Sequence, residues 1–354
     1  MLPTCHQTLS FNGLNSKRRG SLMTLKASVT KNGAVLLGKY VACDSCDPSR
    51  SIRVVTHAHY DHLGGLQQSL RRCKAVVMTP ATRDLLTVLR GRTSVMNGNV
   101  YTLNYGQVLP YDGERITLHR ADHILGAAQV LVEDEDGARI TYTGDFRMSN
   151  TPILEADILV LDATYGNPFQ VRPFRKNVEP ALVSLVKSAL KNGPLYVFGY
   201  HGKLQEVMQI LHENDIQAPF ILPEKVFHTA KVCERYGMRI GKFLAANEEE
   251  AKGITKRNEP HVAFYHMNSK RYVGTNCCRV CVSGWEFSGP RRQVGPNEHI
   301  VALSDHADFK ELLQYVSESK PKLVITDNYR VGDATALARE IEKRLGIPAK
   351  ALPS

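Results

Sequence analysis

The stretch from Ile52 to Leu66, Ile-Arg-Val-Val-Thr-His-Ala-His-Tyr-Asp-His-Leu-Gly-Gly-Leu, leaves the chain little freedom about what it becomes. An apolar run stops abruptly, and His57, His59, Asp61 and His62 follow within six positions, then two glycines. Side chains of a strand alternate with period two, so His57 and His59 at a strand end face the same side. Asp61 and His62 then fall in the turn, where the chain can bend so that they serve an adjacent position. Imidazoles with one carboxylate suit Zn²⁺ or a similar first-row divalent ion. The spacing therefore predicts one metal position built on His57 and His59 and the beginning of a second.

At 354 residues the chain can bury a substantial core, in two domains or in one domain with a large insertion. No apolar run is long enough to span a bilayer, which argues against a membrane protein. The net charge of +10 favours a polyanionic partner, because Lys and Arg neutralise phosphates and release counterions. Eight cysteines are too few for a disulfide scaffold at this length. Cys43-x-x-Cys46 and Cys278-x-x-Cys281 could close a Cys₄ zinc site, but both flank or join apolar strands, so buried reduced thiols are the expectation. A reducing, cytoplasmic compartment fits that usage.

Residues 1–22 are polar, basic and free of acids, and are expected to be a disordered tail; Met23 is an alternative start. Short strands and helices follow. Pro80 opens a helix, and a hairpin turns across Asp134-Glu-Asp-Gly. After Tyr165-Gly-Asn-Pro the texture changes to strand–helix alternation, which persists to roughly residue 250. The last stretch, from Ile300, is again strand–helix–strand.

Two further strand ends carry ligand types. His123 follows the Arg115–Ala121 strand, and Asp145 follows Ile140-Thr-Tyr-Thr-Gly, where Gly144 permits close backbone approach. His57, His59 and His123 form a three-imidazole site, with Asp145 a natural bridge to the position opened by Asp61 and His62. Two cations about 3.5–4 Å apart would lower the pKa of a shared water and clamp a phosphoryl or carbonyl oxygen. Asp44 is expected to orient a ligand histidine from behind. Zn²⁺ is the expected ion, and the same donors accept Mn²⁺.

Thr-His-Ala-His-Tyr-Asp-His-Leu-Gly-Gly, Asp44, His123 in His-Ile-Leu-Gly-Ala and Thr-Gly-Asp145-Phe together resemble the metallo-β-lactamase superfamily, from about residue 30 to the C-terminus. Val160-Leu-Asp162-Ala-Thr-Tyr-Gly and Ala302-Leu-Ser-Asp-His306-Ala-Asp-Phe resemble the motifs that flank the insert of its β-CASP nucleases. That resemblance implies an α+β fold, a four-layer αββα sandwich with an inserted α/β cap. The core would comprise residues 23–171 and 299–354 and the cap residues 172–298, with nucleic acid threading between them. Ribonuclease members carry a further histidine that completes the second metal site. The matching stretch here, Leu323-Val-Ile-Thr-Asp-Asn-Tyr-Arg, has none, which leans toward DNA and leaves Asp327 or water to fill the gap.

On this resemblance the expected activity is metal-dependent phosphodiester hydrolysis, with exonuclease action the expected mode. Asp61 and Asp162 would orient the nucleophile or a ligand, and His306 would protonate the leaving oxygen or hold the phosphate. Acids beside His306 would keep it cationic. His201 and Lys203, at a strand–helix junction, are candidate phosphate contacts. Arg271, Arg279, Arg291 and Arg292 are candidate backbone contacts. The alternatives are a small-molecule hydrolase of the same superfamily, which needs a compact pocket, and a catalytically silent subunit, which should have lost ligands.

Overall fold

The computed structural model describes residues 26–91, 95 and 98–354. The tail expected at 1–22, and Met23, lie outside the described residues.

The first sheet takes its strands in chain order: β1 (Ala27–Val29), β2 (Val35–Leu37), β3 (Val41–Cys43), β4 (Ile52–Val54), β5 (Ala75–Met78) and β6 (Val100–Thr102). The first two pairings are antiparallel, and β3 to β6 run parallel. Parallel neighbours need crossovers, supplied between β4 and β6 by α1 (Leu66–Arg72) and α2 (Pro80–Arg90). Helix α2 starts as its sequence predicts. The Thr79 side chain accepts the Thr82 backbone N–H, and Pro80 follows where a missing N–H costs nothing.

The second sheet opens as a meander of β7 (Val108–Tyr111), β8 (Glu114–Arg120), β9 (Ala128–Glu133) and β10 (Arg139–Tyr142), then adds β11 (Ile158–Leu161) parallel to β10. The chain then builds a separate sheet. Its strands are β12 (Leu195–Gly199), β13 (Phe220–Leu222), β14 (Phe243–Ala245), β15 (Val262–His266), β16 (Cys278–Val282), β17 (Arg291–Gly295) and β18 (Glu298–Val301). The spatial order is β14-β13-β15-β12-β16-β18-β17, antiparallel only at β17–β18. Helices α3 (Val178–Ala189), α4 (Lys203–Glu213), α5 (Glu224–Arg235) and α6 (Glu249–Lys256) precede or separate its first four strands. Finally α7 (Phe309–Ser319), β19 (Leu323–Asp327), α8 (Ala334–Leu345) and β20 (Ala349–Leu352) return to the second sheet, where β19 lies parallel to β11 and β20 to β19.

Period-two alternation makes the layers. In β5, Ala75 and Val77 face the second sheet, while Val76 and Met78 join Leu66, Leu70, Leu85 and Leu86 of α1 and α2. In β11, Val160 points between the sheets, and Leu159 and Leu161 meet Leu312, Val316, Leu337 and Ile341 of α7 and α8. Strands buried on both faces read as continuous apolar runs, which is why Asp157-Ile-Leu-Val-Leu-Asp shows no polar alternation. The result is an αββα sandwich carrying a third sheet, the α/β one of β12 to β18. No helix among the described residues is long and apolar enough to cross a membrane. The described cysteines are free, and the two Cys-x-x-Cys pairs sit on different sheets, Cys43 in β3 and Cys278 and Cys281 in β16.

One consequence of strand direction places the chemistry. Asp44, His57, Asp145, Asp162 and Asp327 each end or closely follow a strand that is parallel to at least one neighbour (β3, β4, β10, β11 and β19). Their carboxyl ends share one rim, the usual place for a site in such sheets.

Candidate metal centre

After β4 the chain runs through Thr56 and His57 into a single 3₁₀ turn, Tyr60–His62. His57 Nε2 and His123 Nε2 lie 3.1 and 3.0 Å from His59 Nδ1. Asp145 Oδ2 is 3.6 Å from His57 Nε2 and 3.7 Å from His123 Nε2. A tetrahedron around an ion with bonds of about 2.0–2.1 Å has edges of about 3.3 Å, so these four donors already stand near coordination distances. His57, His59, His123 and Asp145 can therefore hold one divalent ion.

The far ring nitrogens fix the tautomers. His59 Nε2 donates to the His201 carbonyl at 3.0 Å, and His123 Nδ1 to the Asp305 carbonyl at 3.0 Å. His57 Nδ1 meets Thr56 Oγ1 at 3.0 Å, and Thr56 Oγ1 donates to Asp44 at 2.8 Å. Each bare nitrogen thus points into the cluster. Burial, reinforced by neighbouring rings, drives His57 well below its ordinary value and His123 to about 3, so both stay neutral and able to ligate. Burial opposes the charge on Asp145, but the imidazoles around it, His306 among them, prevail and hold it well below the usual carboxylate range.

Asp44 takes the supporting position expected of it. Its backbone is left-handed, φ 62°, and its carboxylate accepts the Thr56 N–H at 2.9 Å and His62 Nδ1–H at 2.7 Å. Gly144 is also left-handed, and a Cβ there would stand 3.0 Å from the Ala128 carbonyl, which explains the glycine before Asp145.

The second position is built differently from expectation. His62 Nε2 is 3.2 Å from Asp145 Oδ2 and 3.5 Å from Asp61 Oδ2, but the Asp61 side chain is 62% exposed. Arg330 Nε stands 3.2 Å from the same His62 nitrogen. Burial opposes charge on His62, yet Asp145 and then Asp44 lift it to about 10 against the pull of Arg330. A protonated Nε2 would donate to Asp145; a bare one accepts from Arg330. The Arg330 N–H points at the ring nitrogen, so the geometry supports the bare form. Asp327 offers no ligand here, because its carboxylate binds Arg330 Nη1.

Asp162 and His306 are brought together. Asp162 Oδ1 accepts the Thr164 N–H and hydroxyl at 2.8 and 2.7 Å, and Oδ2 accepts His306 Nδ1–H at 2.9 Å. His306 Nε2 then faces Asp145 Oδ2 at 3.9 Å. Burial disfavours the cation, but Asp162, Asp145 and Asp305 outweigh it and raise His306 to about 9. Of the two acids expected to bracket it, Asp308 is committed elsewhere: it caps α7 through the Lys310 and Glu311 N–H groups. Asp305 is paired with Lys203 Nζ at 2.6 Å.

That pairing alters the reading of the His201–Lys203 junction. Lys203 is largely buried against Asp305, so its charge is not presented to solvent, and His201 contributes its carbonyl to His59. Arg279 is likewise buried, donating to the Lys270 carbonyl, and Arg292 pairs with Glu286. Arg271 stacks on Tyr272, and Arg291 opens β17 on an exposed face.

Two arginines escaped sequence reasoning. Arg53, fully buried in β4, donates to the carbonyls of Val54, Gly64 and His62 at 3.1, 3.0 and 3.0 Å, and so ties down the loop that carries the ligands. Arg330 is the other. Beside the centre a cavity of about 1030 Å³ opens between the sandwich and the third sheet, lined among others by His59, His123, Tyr105, Arg147, His201 and Lys225.

A profile described as a beta-lactamase superfamily domain matches residues 48–189. An uncharacterised protein in the lig 3′ region of Acidianus ambivalens is 42% identical over 138 residues, 38% of this chain and 99% of that protein. The RNase J-like protein of Methanocaldococcus jannaschii is 28% identical, covering 91% of this chain and 87% of its own. Transcription termination factor FttA of Pyrococcus horikoshii is 25% identical over 84% of this chain, which spans 60% of the factor's length. Profile, relatives and the αββα architecture agree: this chain belongs to the metallo-β-lactamase superfamily, in the branch of the β-CASP nucleases.

Proposed function

We propose that this protein hydrolyses phosphodiester bonds in nucleic acid, DNA in preference to RNA, at a metal centre formed by His57, His59, His123 and Asp145. One observation carries the reading: four donor atoms at coordination spacing lie beside His306, which is held by Asp162. A divalent ion on these residues supplies an acidified water and neutralises charge on the nonbridging phosphoryl oxygens.

The chain's own groups do the rest. Asp162 accepts the Nδ1 proton of His306, so the proton that can pass to a leaving oxygen sits on Nε2, the nitrogen facing Asp145. His201 and Asp305 hold His59 and His123 through main-chain carbonyls, so ligand orientation depends on the segment that carries the third sheet and the turn after it. Trp285 is half-exposed, with its ring edge-on to Tyr165, which in turn lies against His306. That surface suits stacking of an unpaired base next to the scissile phosphate. The cavity and the net positive charge support a polymeric polyanion over a small substrate. Exonuclease action and the role of residues 172–298 as a cap belong to the same proposal. The preference for DNA rests on the absence of histidine from Leu323 to Arg330.

The test compares labelled single-stranded DNA, duplex DNA and RNA, with and without Zn²⁺ or Mn²⁺. Metal-dependent shortening of DNA faster than RNA is expected. Degradation of neither, with ester hydrolysis intact, would favour a small-molecule hydrolase instead.

A further inference from the structure

We infer that Arg330 is a built-in cation at the second metal position and restricts this centre to one metal ion per chain. The inference rests on the metal-centre reading above.

The second position is defined by convergence. His62 Nε2 faces Asp145 Oδ2 at 3.2 Å and Asp61 Oδ2 at 3.5 Å, and an ion shared by these groups would sit within about 2.0–2.2 Å of each donor. Arg330 Nε already lies 3.2 Å from that nitrogen. An ion bound there would press a divalent charge against a guanidinium in a buried site, where like charges repel strongly.

Arg330 cannot simply swing away. Its side chain is only 8% exposed, and every nitrogen has an assignment. Nη1 binds the Asp327 carboxylate, Nη2 reaches the Gly33 carbonyl at 3.5 Å and Asp44 Oδ2 at 3.9 Å, and Nε addresses His62. Asp327 is itself 3% exposed, so departure of Arg330 would strand a buried carboxylate. Asp44, Asp145 and Asp327 supply the negative charge around this position, and the guanidinium offsets part of it without any ion.

The arrangement changes what Asp145 does. It stands as the fourth ligand of a single ion on one side and faces the His62–Arg330 pair on the other, instead of bridging two metals. Arg330 is thus a positioning residue. Its donors are spent on the protein, and it acts by holding His62 and setting the charge behind Asp145.

Full-length protein loaded with Mn²⁺ and desalted gives the test, through metal content by mass spectrometry and electron paramagnetic resonance. Wild type is expected to retain one ion with the six-line spectrum of isolated Mn²⁺. Arg330→Ala, or Arg330→Gln should the smaller residue fail to fold, is expected to take up a second ion and show an exchange-coupled signal. Two coupled ions in wild type, or a single ion in folded variants of both kinds, overturn the inference. No retained ion in wild type overturns the metal-centre reading itself, an outcome distinct from two.

Discussion

His306 Nδ1 donates to Asp162 Oδ2 at 2.9 Å, which turns Nε2 toward Asp145 and keeps the ring cationic up to about pH 9. Because the folded value lies above the ordinary one of about 6.5, the stabilisation from this charge is complete below pH 6.5 and is lost as pH rises through about 9. Activity that needs the proton should show an alkaline limb. A bound divalent cation pulls that limb downward in every variant alike. In Asp162→Asn the limb moves to lower pH than in wild type, and kcat falls by roughly 10²–10⁴-fold. The pH profile of kcat checks this; an unmoved limb would remove His306 as the acid.

Lys203 is a structural prediction. Its ammonium pairs with Asp305, which is 1% exposed, so Lys203→Met leaves a buried carboxylate without its counter-charge. A loss of about 3–5 kcal/mol is expected in urea unfolding. Lys203→Met combined with Asp305→Asn should recover part of it, because the stranded charge is gone.

Arg53→Met tests the anchoring of the ligand loop. The buried His62 carbonyl loses its donor, a cost of about 1–3 kcal/mol, whereas the Gly64 carbonyl can turn to water. The variant should melt lower, and added Zn²⁺ should stabilise it less than it stabilises wild type, since a loosened loop binds the ion more weakly. Equal shifts with metal would mean that Arg53 serves the fold alone.

Trp285→Ala should raise KM for single-stranded substrate with little change in kcat. Stacking is worth about 1–3 kcal/mol per base, so a rise of roughly 5–150-fold is expected. Steady-state kinetics on oligonucleotides decide it, and an unchanged KM would clear the Trp285 surface of any role in binding.

Much of the centre could be read from the chain because its signals are local. His57, His59, His123 and Asp145 each lie within a few residues of the end of a strand, and Gly144 announces close backbone approach before Asp145. The arginines have no such signature. Arg53 is one charged residue in a strand, and its purpose appears only when the carbonyls of His62 and Gly64 fold back onto it. Arg330 lies within the stretch noted for its missing histidine, but its partner His62 is 268 residues away. Lys203 read as a phosphate contact for the same reason, with Asp305 brought to it only by packing of the third sheet on the sandwich. Pairing of buried charges across the fold is a tertiary fact that neither periodicity nor capping chemistry encodes.

Cleavage should depend on the ion that the four-donor cluster binds. Wild type and His59→Ala, both shown to be folded by circular dichroism, should be stripped with chelator and titrated with Zn²⁺ while cleavage of labelled single-stranded DNA and bound metal are followed together. Wild type should recover activity in step with metal uptake, whereas His59→Ala neither retains the ion nor cuts. Full activity in stripped wild type, or cleavage by His59→Ala at the wild-type rate, would contradict the central claim.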